Sequence, residues 1–309
     1  MTSPKVLVTD PVGAVGSAVV DHLLSAEREG ERTLDTTPHG ATDARPIVYA
    51  LVDDPDTEAG RRLAGRGVRL VRGTLWNRPS LDRAMRGMDG VFLTTPTDRG
   101  TQPEIAAGEN AVDAAAAAGV AHLVFCSSTG AAVSPPDGRP DPKRPVEGYL
   151  RELGLPSTVL RPTFRMDRFR SYWADALDGT IGLPLPEGVR LSMVDARGVG
   201  AVAAAVLREP GRFVGRDITV AGDRLTLPEI AEEFSLVLGR PVRPVHLPPE
   251  SAEELFGVEA AAEFRSFEAT DREVDTSALE RETGVELRTL KEYLGDAEWA
   301  ERPSEAHER

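Results

Sequence analysis

Cysteine is nearly missing from this 309-residue chain, which carries Cys126 alone. A disulfide framework and a cysteine-based metal site are thereby excluded. The setting of Cys126 in the apolar run 122–126 (HLVFC) marks it as a small core residue. Aromatic residues make up 5% of the chain, so Ala, Val and Leu must do most of the packing. Positive charge is in deficit, with 36 Lys+Arg against 50 Asp+Glu and a formal net charge of −14. Nothing here would neutralise phosphates in bulk, so neither nucleic acid nor an anionic membrane is an expected partner. No apolar run approaches the ~18 residues that a membrane span needs. A signal-peptide pattern is lacking too, and a cytoplasmic protein with a small-molecule substrate is expected. The five histidines, at 22, 39, 122, 246 and 307, show no metal-ligand spacing, and no Gly-x-Ser-x-Gly turn is present. No metal is expected.

What is present is an alternation. Strand patterns at Val6–Thr9, Ile47–Val52, Val68–Val71, Gly90–Thr94, Leu123–Cys126 and Ser157–Leu160 alternate with helical ones. The helices are expected at Gly13–Ser25, Thr57–Arg66, Ser80–Arg86, Ile105–Ala118 and Pro145–Leu153. That succession implies an α/β fold, a Rossmann-like doubly wound parallel sheet. After Pro162 the alternation weakens, with helices at Val199–Leu207 and Pro228–Leu238 and short strands at Ile218–Ala221 and Val242–His246. We therefore divide the chain into a nucleotide-binding core (1–162), a smaller C-terminal α+β substrate lobe interleaved with it (163–300) and a frayed tail (301–309). Residues 27–46 read as a long loop, either functional or disordered.

The first strand runs into Thr9-Asp10-Pro11-Val12-Gly13-Ala14-Val15-Gly16. A dinucleotide-binding turn places three glycines at fixed spacing between strand and helix. Gly13 and Gly16 hold the second and third positions; Asp10 holds the first. A pyrophosphate is favoured at a helix N-terminus by N–H groups and the helix dipole. A carboxylate about 6 Å away would oppose it by roughly 3 kcal/mol at an effective dielectric near 20, and Pro11 has no N–H to offer. Either Asp10 points away and the dinucleotide binds, or the turn is disabled.

Several segments resemble the NmrA-like family of atypical short-chain dehydrogenase/reductases, in order and spacing from Val6 to about Trp299. They are 67–75 (GVRLVRGTL), 114–128 (AAAAAGVAHLVFCSS), 143–162 (KRPVEGYLRELGLPSTVLRP), 193–199 (MVDARGV) and 229–241. The resemblance implies a nicotinamide-dependent reductase, commonly of quinones or other conjugated compounds, or a dinucleotide-sensing regulator. It places the cofactor against Thr9, Asp10, Gly13, Val15, Gly16, Asp53, Thr74, Thr95, Pro96 and Lys143. Asp53 stands where the family often carries an Arg for the 2′-phosphate of NADP. An acid there repels that phosphate and suits a ribose hydroxyl, favouring NAD, unless it merely opens the turn 53–55. Thr74 replaces an Asp that usually contacts adenine.

Lys143 aligns with the family's catalytic Lys, while Arg139 stands where a Tyr four residues earlier would donate the proton. The bland alternative for Lys143 is a solvated residue at a helix start. Ser127, Ser128 and Thr129 leave the C-terminal end of a central strand, where such sheets place ligands, and the two serines are candidates to orient a carbonyl. Thr163, Phe164, Met166, Phe169 and Trp173 suit the wall of a flat apolar pocket, with a core patch the alternative for Phe169 and Trp173. Three functions follow. The first is an NAD(P)-dependent reductase of a flat conjugated or quinone-like carbonyl, preferring NAD. The second is a cofactor-independent isomerase, cyclase or dehydratase, in a setting such as bacterial specialised metabolism. The third is a non-catalytic redox sensor.

Overall fold

The computed structural model describes residues 3–25, 45–132, 141–172, 178–248, 264 and 274–296. Most of the 27–46 segment, Arg139 and Trp173 lie outside them.

Seven strands form the main sheet: β1 (Lys5–Val8), β2 (Ile47–Val52), β3 (Arg69–Arg72), β4 (Gly90–Leu93), β5 (His122–Cys126), β6 (Ser157–Pro162) and β10 (Asp217–Val220). Their order is β10-β6-β5-β4-β1-β2-β3, and β3-β2-β1-β4-β5-β6 pair in parallel throughout. β4 and β5 are buried along their whole length, as expected of parallel strands covered on both faces. The order reverses between β1 and β4, and ligands of open α/β sheets bind at the carboxyl ends of the strands at such a switch point.

The crossovers are α1 (Ala14–Leu24), α2 (Glu58–Gly65), α3 (Arg78–Met85), α4 (Thr101–Ala118) and α5 (Lys143–Glu152). Thr57 and Asn77 cap α2 and α3 through their side chains. α4 begins four residues before the expected Ile105, because Pro103 is tolerated in a first turn. It stops at Gly119, whose φ of 66° is open to glycine. Its small buried face (Ala107, Gly108, Ala111, Ala114, Ala115) packs close: a Cβ at Gly108 would lie 2.5 Å from Val146 of α5.

The chain divides into two compact units. The first holds residues 1–131, 141–161 and 199–218, so α6 (Ala196–Arg208), most of whose length lies past Val199, returns the chain to it. The second holds 132–140, 162–198 and 219–309. It contains a three-stranded sheet, β11 (Asp223–Thr226), β9 (Arg190–Val194) and β7 (Phe164–Arg165), and a two-stranded one, β12 (Arg243–His246) with β8 (Thr180–Leu183). After the short α7 (Pro210–Phe213) come α8 (Leu227–Leu238), α9 (Thr276–Thr283) and α10 (Leu290–Leu294). Capping boxes start α8 (Thr226, Glu229) and α10 (Thr289, Glu292). Buried Asp195 accepts from Gly198 N–H at 2.7 Å and from Arg288 Nε at 2.8 Å. Among the described residues no helix is long and apolar enough to cross a membrane.

Candidate functional site

The carboxyl ends of β1, β4 and β5, with the starts of α1, α4 and α5, bring the candidate residues of the first unit together. Thr9 is fully buried and stitches β1 to β4. Its hydroxyl donates to the Thr94 carbonyl at 3.2 Å and accepts from Thr94 N–H at 2.9 Å. Asp10 follows with φ 46°, the one positive φ of a non-glycine residue among the described residues. Asp is among the few L-residues that enter this region at modest cost, so the turn keeps its path without the first glycine. Gly13 N–H donates to the Asp10 carbonyl at 3.1 Å and to its Oδ1 at 3.2 Å. A Cβ at Gly13 would sit 2.0 Å from Asp10 Oδ2, and one at Gly16 would sit 2.0 Å from the Asp10 carbonyl oxygen. Gly16 is therefore required by the backbone path of the turn, while Gly13 leaves room for the Asp10 carboxylate. Val15 turns inward and is buried.

These facts test the fit of a dinucleotide. The backbone fits: a left-handed residue, two glycines and a helix start whose first N–H groups have no intrahelical acceptor. The side chain opposes: Asp10 already sets an anion against the N-terminus of α1. A dinucleotide held here would meet Gly13 and Gly16 only with the Asp10 carboxylate turned aside.

At the end of β2, Asp53 is exposed, and it is Asp54 that opens the turn, accepting from Asp56 N–H at 3.2 Å. Arg72, at the end of the adjacent β3, pairs with Asp54 at 2.9 Å. Thr74 serves its own turn, its hydroxyl accepting from Trp76 N–H at 3.0 Å.

Around β4 and β5, three strand-end hydroxyls are committed to acids. Thr95 donates to Glu104 Oε1 at 2.7 Å, Ser127 to Glu147 Oε1 at 2.6 Å, and Ser128 to Asp141. Ser127 and Ser128, expected to orient a carbonyl, thus each donate to an acid of the chain. Lys143 is not a solvated helix start. Its side chain is 15% exposed, and its ammonium is paired with Glu104, itself 2% exposed. Asp141 accepts the Lys143 N–H at 2.8 Å and so ties the end of β5 to the start of α5. Thr129 is buried in a short 3-10 turn, and Pro96 follows Thr95 half-buried.

Glu147 is buried, which pushes its carboxyl up. Hydrogen bonds from Arg161 and Ser127 outweigh that and hold it below the usual carboxylate range. Arg161 grips it with Nε at 3.0 Å and Nη2 at 2.6 Å, and Asp217 joins at 2.8 Å. This network locks β6 to α5 and is structural.

Spacing in the sequence did not single out Glu104, Glu147 or Asp141. The available signal was an acid on an otherwise apolar helix face: Glu104 before Ala107, Ala111 and Val112, and Glu147 between Val146 and Leu150.

In the second unit, Phe164, Met166 and Phe169 are fully buried in its core with Phe234, Leu191 and Leu227, rather than forming a wall. The rings of Phe164 and Phe169 lie 5.1 Å apart. Thr163 is buried, with its hydroxyl donated to the Val220 carbonyl at 3.1 Å. Among the described residues no group of three or more His, Cys, Asp or Glu could hold a metal ion.

The NmrA-like family model matches residues 2–300. A (4-alkanoyl-5-oxo-2,5-dihydrofuran-3-yl)methyl phosphate reductase of Streptomyces griseus is 35% identical over 242 residues, 77% of this chain and 75% of its own. An NAD(P)H azoreductase of Xenophilus azovorans is 31% identical over 251 residues, 81% and 79% of the two chains. The NADPH-dependent quinone oxidoreductase of Escherichia coli, solved with NADPH, superposes with a TM-score of 0.76 at 21% identity, over 94% of this chain and 98% of its own. That last likeness shows the shared Rossmann-like fold. The chain belongs to the NmrA-like family.

Proposed function

We propose that this family member is an NAD(P)H-dependent reductase of a flat, conjugated carbonyl or quinone-like compound, with NADH preferred. The observation that carries the reading is its relatedness to two reductases at 35% and 31% identity. The Streptomyces enzyme's substrate, an alkanoyl-substituted oxo-dihydrofuran, is itself a conjugated ring carbonyl compound. A bound nicotinamide supplies a hydride. Gly13 and Gly16 would admit its pyrophosphate at the start of α1 once the Asp10 carboxylate turns aside, and Asp53 would receive a ribose hydroxyl.

The proton side belongs to Lys143. With Thr95, Ser127 and Ser128 donating to carboxylates, Lys143 is, among the described candidate residues at the ends of β4 and β5, an ammonium with N–H bonds to spare. One goes to Glu104, and an ammonium has three. It polarises the substrate oxygen and delivers the proton, a role worth about 100-fold in rate or more.

One observation favours a second reading, cofactor-independent isomerisation, cyclisation or dehydration: the Asp10 carboxylate sits on the N–H that a phosphate would use. The experiment is nucleotide oxidation by the purified chain with NADH and with NADPH, offered 1,4-naphthoquinone, an azo dye and an acyl butenolide. Turnover with any of them supports the reductase. No turnover together with no nucleotide binding at millimolar concentration moves the reading to cofactor-free chemistry.

A further inference from the structure

Lys143 is one of three lysines among the 36 basic residues of this chain, the others being Lys5 and Lys291. It opens α5, where the positive end of the helix dipole disfavours a cation. Its partner Glu104 comes from the first turn of α4 and is 2% exposed. Stability alone does not call for such a pair, because apolar residues of similar volume usually serve a buried position as well or better. Glu104 Oε1 also accepts the Thr95 hydroxyl. The carboxylate is thus fixed from the end of β4 while it fixes the ammonium on α5.

We propose that Glu104 is a positioning residue for the reduction. With Thr95 steadying it, Glu104 holds the Lys143 ammonium beside the strand ends. This rests on the reductase reading above. In the step concerned, a carbonyl carbon gains hydride from the nicotinamide and its oxygen takes a proton from Lys143 Nζ. Lys143 is left neutral and regains its proton from water.

The test uses the full chain and the variants Glu104→Gln and Thr95→Val, with two readouts. The first is the rate of acetylation of each lysine by acetic anhydride, resolved by mass spectrometry, with Lys5 and Lys291 as internal references. Glu104→Gln keeps the shape but removes the charge, so Lys143 acetylation should rise about tenfold relative to the references. The second is reduction of the three oxidants above. Glu104→Gln should lower kcat about tenfold with KM within twofold, and Thr95→Val should do the same more weakly.

Unchanged acetylation of Lys143 in both variants overturns the proposal. Faster acetylation with unchanged kcat overturns it too and leaves the reductase reading standing. A parent chain inactive with both nucleotides, yet showing the acetylation contrast, overturns the reductase reading and with it the catalytic role of Glu104. Should Glu104→Gln fail to fold, Thr95→Val alone carries both readouts.

Discussion

Two acids of the first unit follow the carboxyl ends of neighbouring strands, Asp10 in the turn after β1 and Glu104 in the first turn of α4 after β4, and they behave in opposite ways. The Asp10 carboxylate accepts from the Gly13 N–H, which a ligand's phosphate could also use. Glu104 faces a hydroxyl and an ammonium that belong to the chain. On the proposed reading the first acid would compete with a ligand, and the second would organise a donor for one. A carboxylate's effect on a site thus follows from whether its partners are ligand-facing or internal, which residue type and position alone do not decide.

The sharpest way to break the contrast is at the turn itself. Gly16→Ala places a Cβ 2.0 Å from the Asp10 carbonyl, and backbone cannot move aside as a flexible side chain would. A loss of about 3 kcal/mol is expected, read as a fall in thermal or denaturant midpoint. Gly108→Ala meets only side-chain atoms, those of Val146 and Thr95, and should cost less.

A comparable effect comes from the opposite end of β5, where a buried ionisable group has no internal answer. His122 Nε2 donates to Thr158 Oγ1 at 2.8 Å, because that hydroxyl gives its proton to the Phe213 carbonyl; Nδ1 has no partner. Burial lowers the His122 pKa from 6.5 to about 4. Between those values the unfolded chain binds a proton that the folded one refuses. The His122 contribution is therefore intact above pH 6.5 and falls by about 3 kcal/mol as pH drops to 4. Denaturant titrations of the parent and of His122→Gln across that window should show the variant with the shallower slope.

The smallest of these effects is at Asp53. Asp53→Arg should move the NADPH/NADH affinity ratio toward NADPH by about tenfold, one added charge pair at a solvent-exposed edge. An unchanged ratio in calorimetric titration removes Asp53 from the cofactor assignment.

Much of the first unit is legible in the sequence because its strands are apolar runs buried on both faces, and its helices carry their caps and stops in plain residues such as Thr57 and Gly119. The second unit is less so: β8, β9 and β11 are four or five residues long, too short for the alternation in β8 and β9 to stand out. Phe164, Met166 and Phe169 could belong to a pocket or a core until their packing was seen. The site divides the same way. Asp10, Gly13 and Gly16 are adjacent in sequence, so their conflict can be anticipated. That Gly16 packs against the backbone of residue 10, and Gly13 against the Asp10 carboxylate, is seen only in the folded turn. Lys143 meets Glu104 across 39 residues, and neither spacing nor composition announces a contact between the first turns of two helices.

The Asp10 turn keeps the left-handed path of a dinucleotide turn while its own carboxylate takes the Gly13 N–H. Calorimetric titration of the parent chain and of Asp10→Asn with NADH and NADPH tests it directly, since Asn keeps the left-handed turn and loses the charge. The account predicts binding roughly 100-fold tighter in the variant, the equivalent of about 3 kcal/mol. Equal affinities in the two proteins would contradict it.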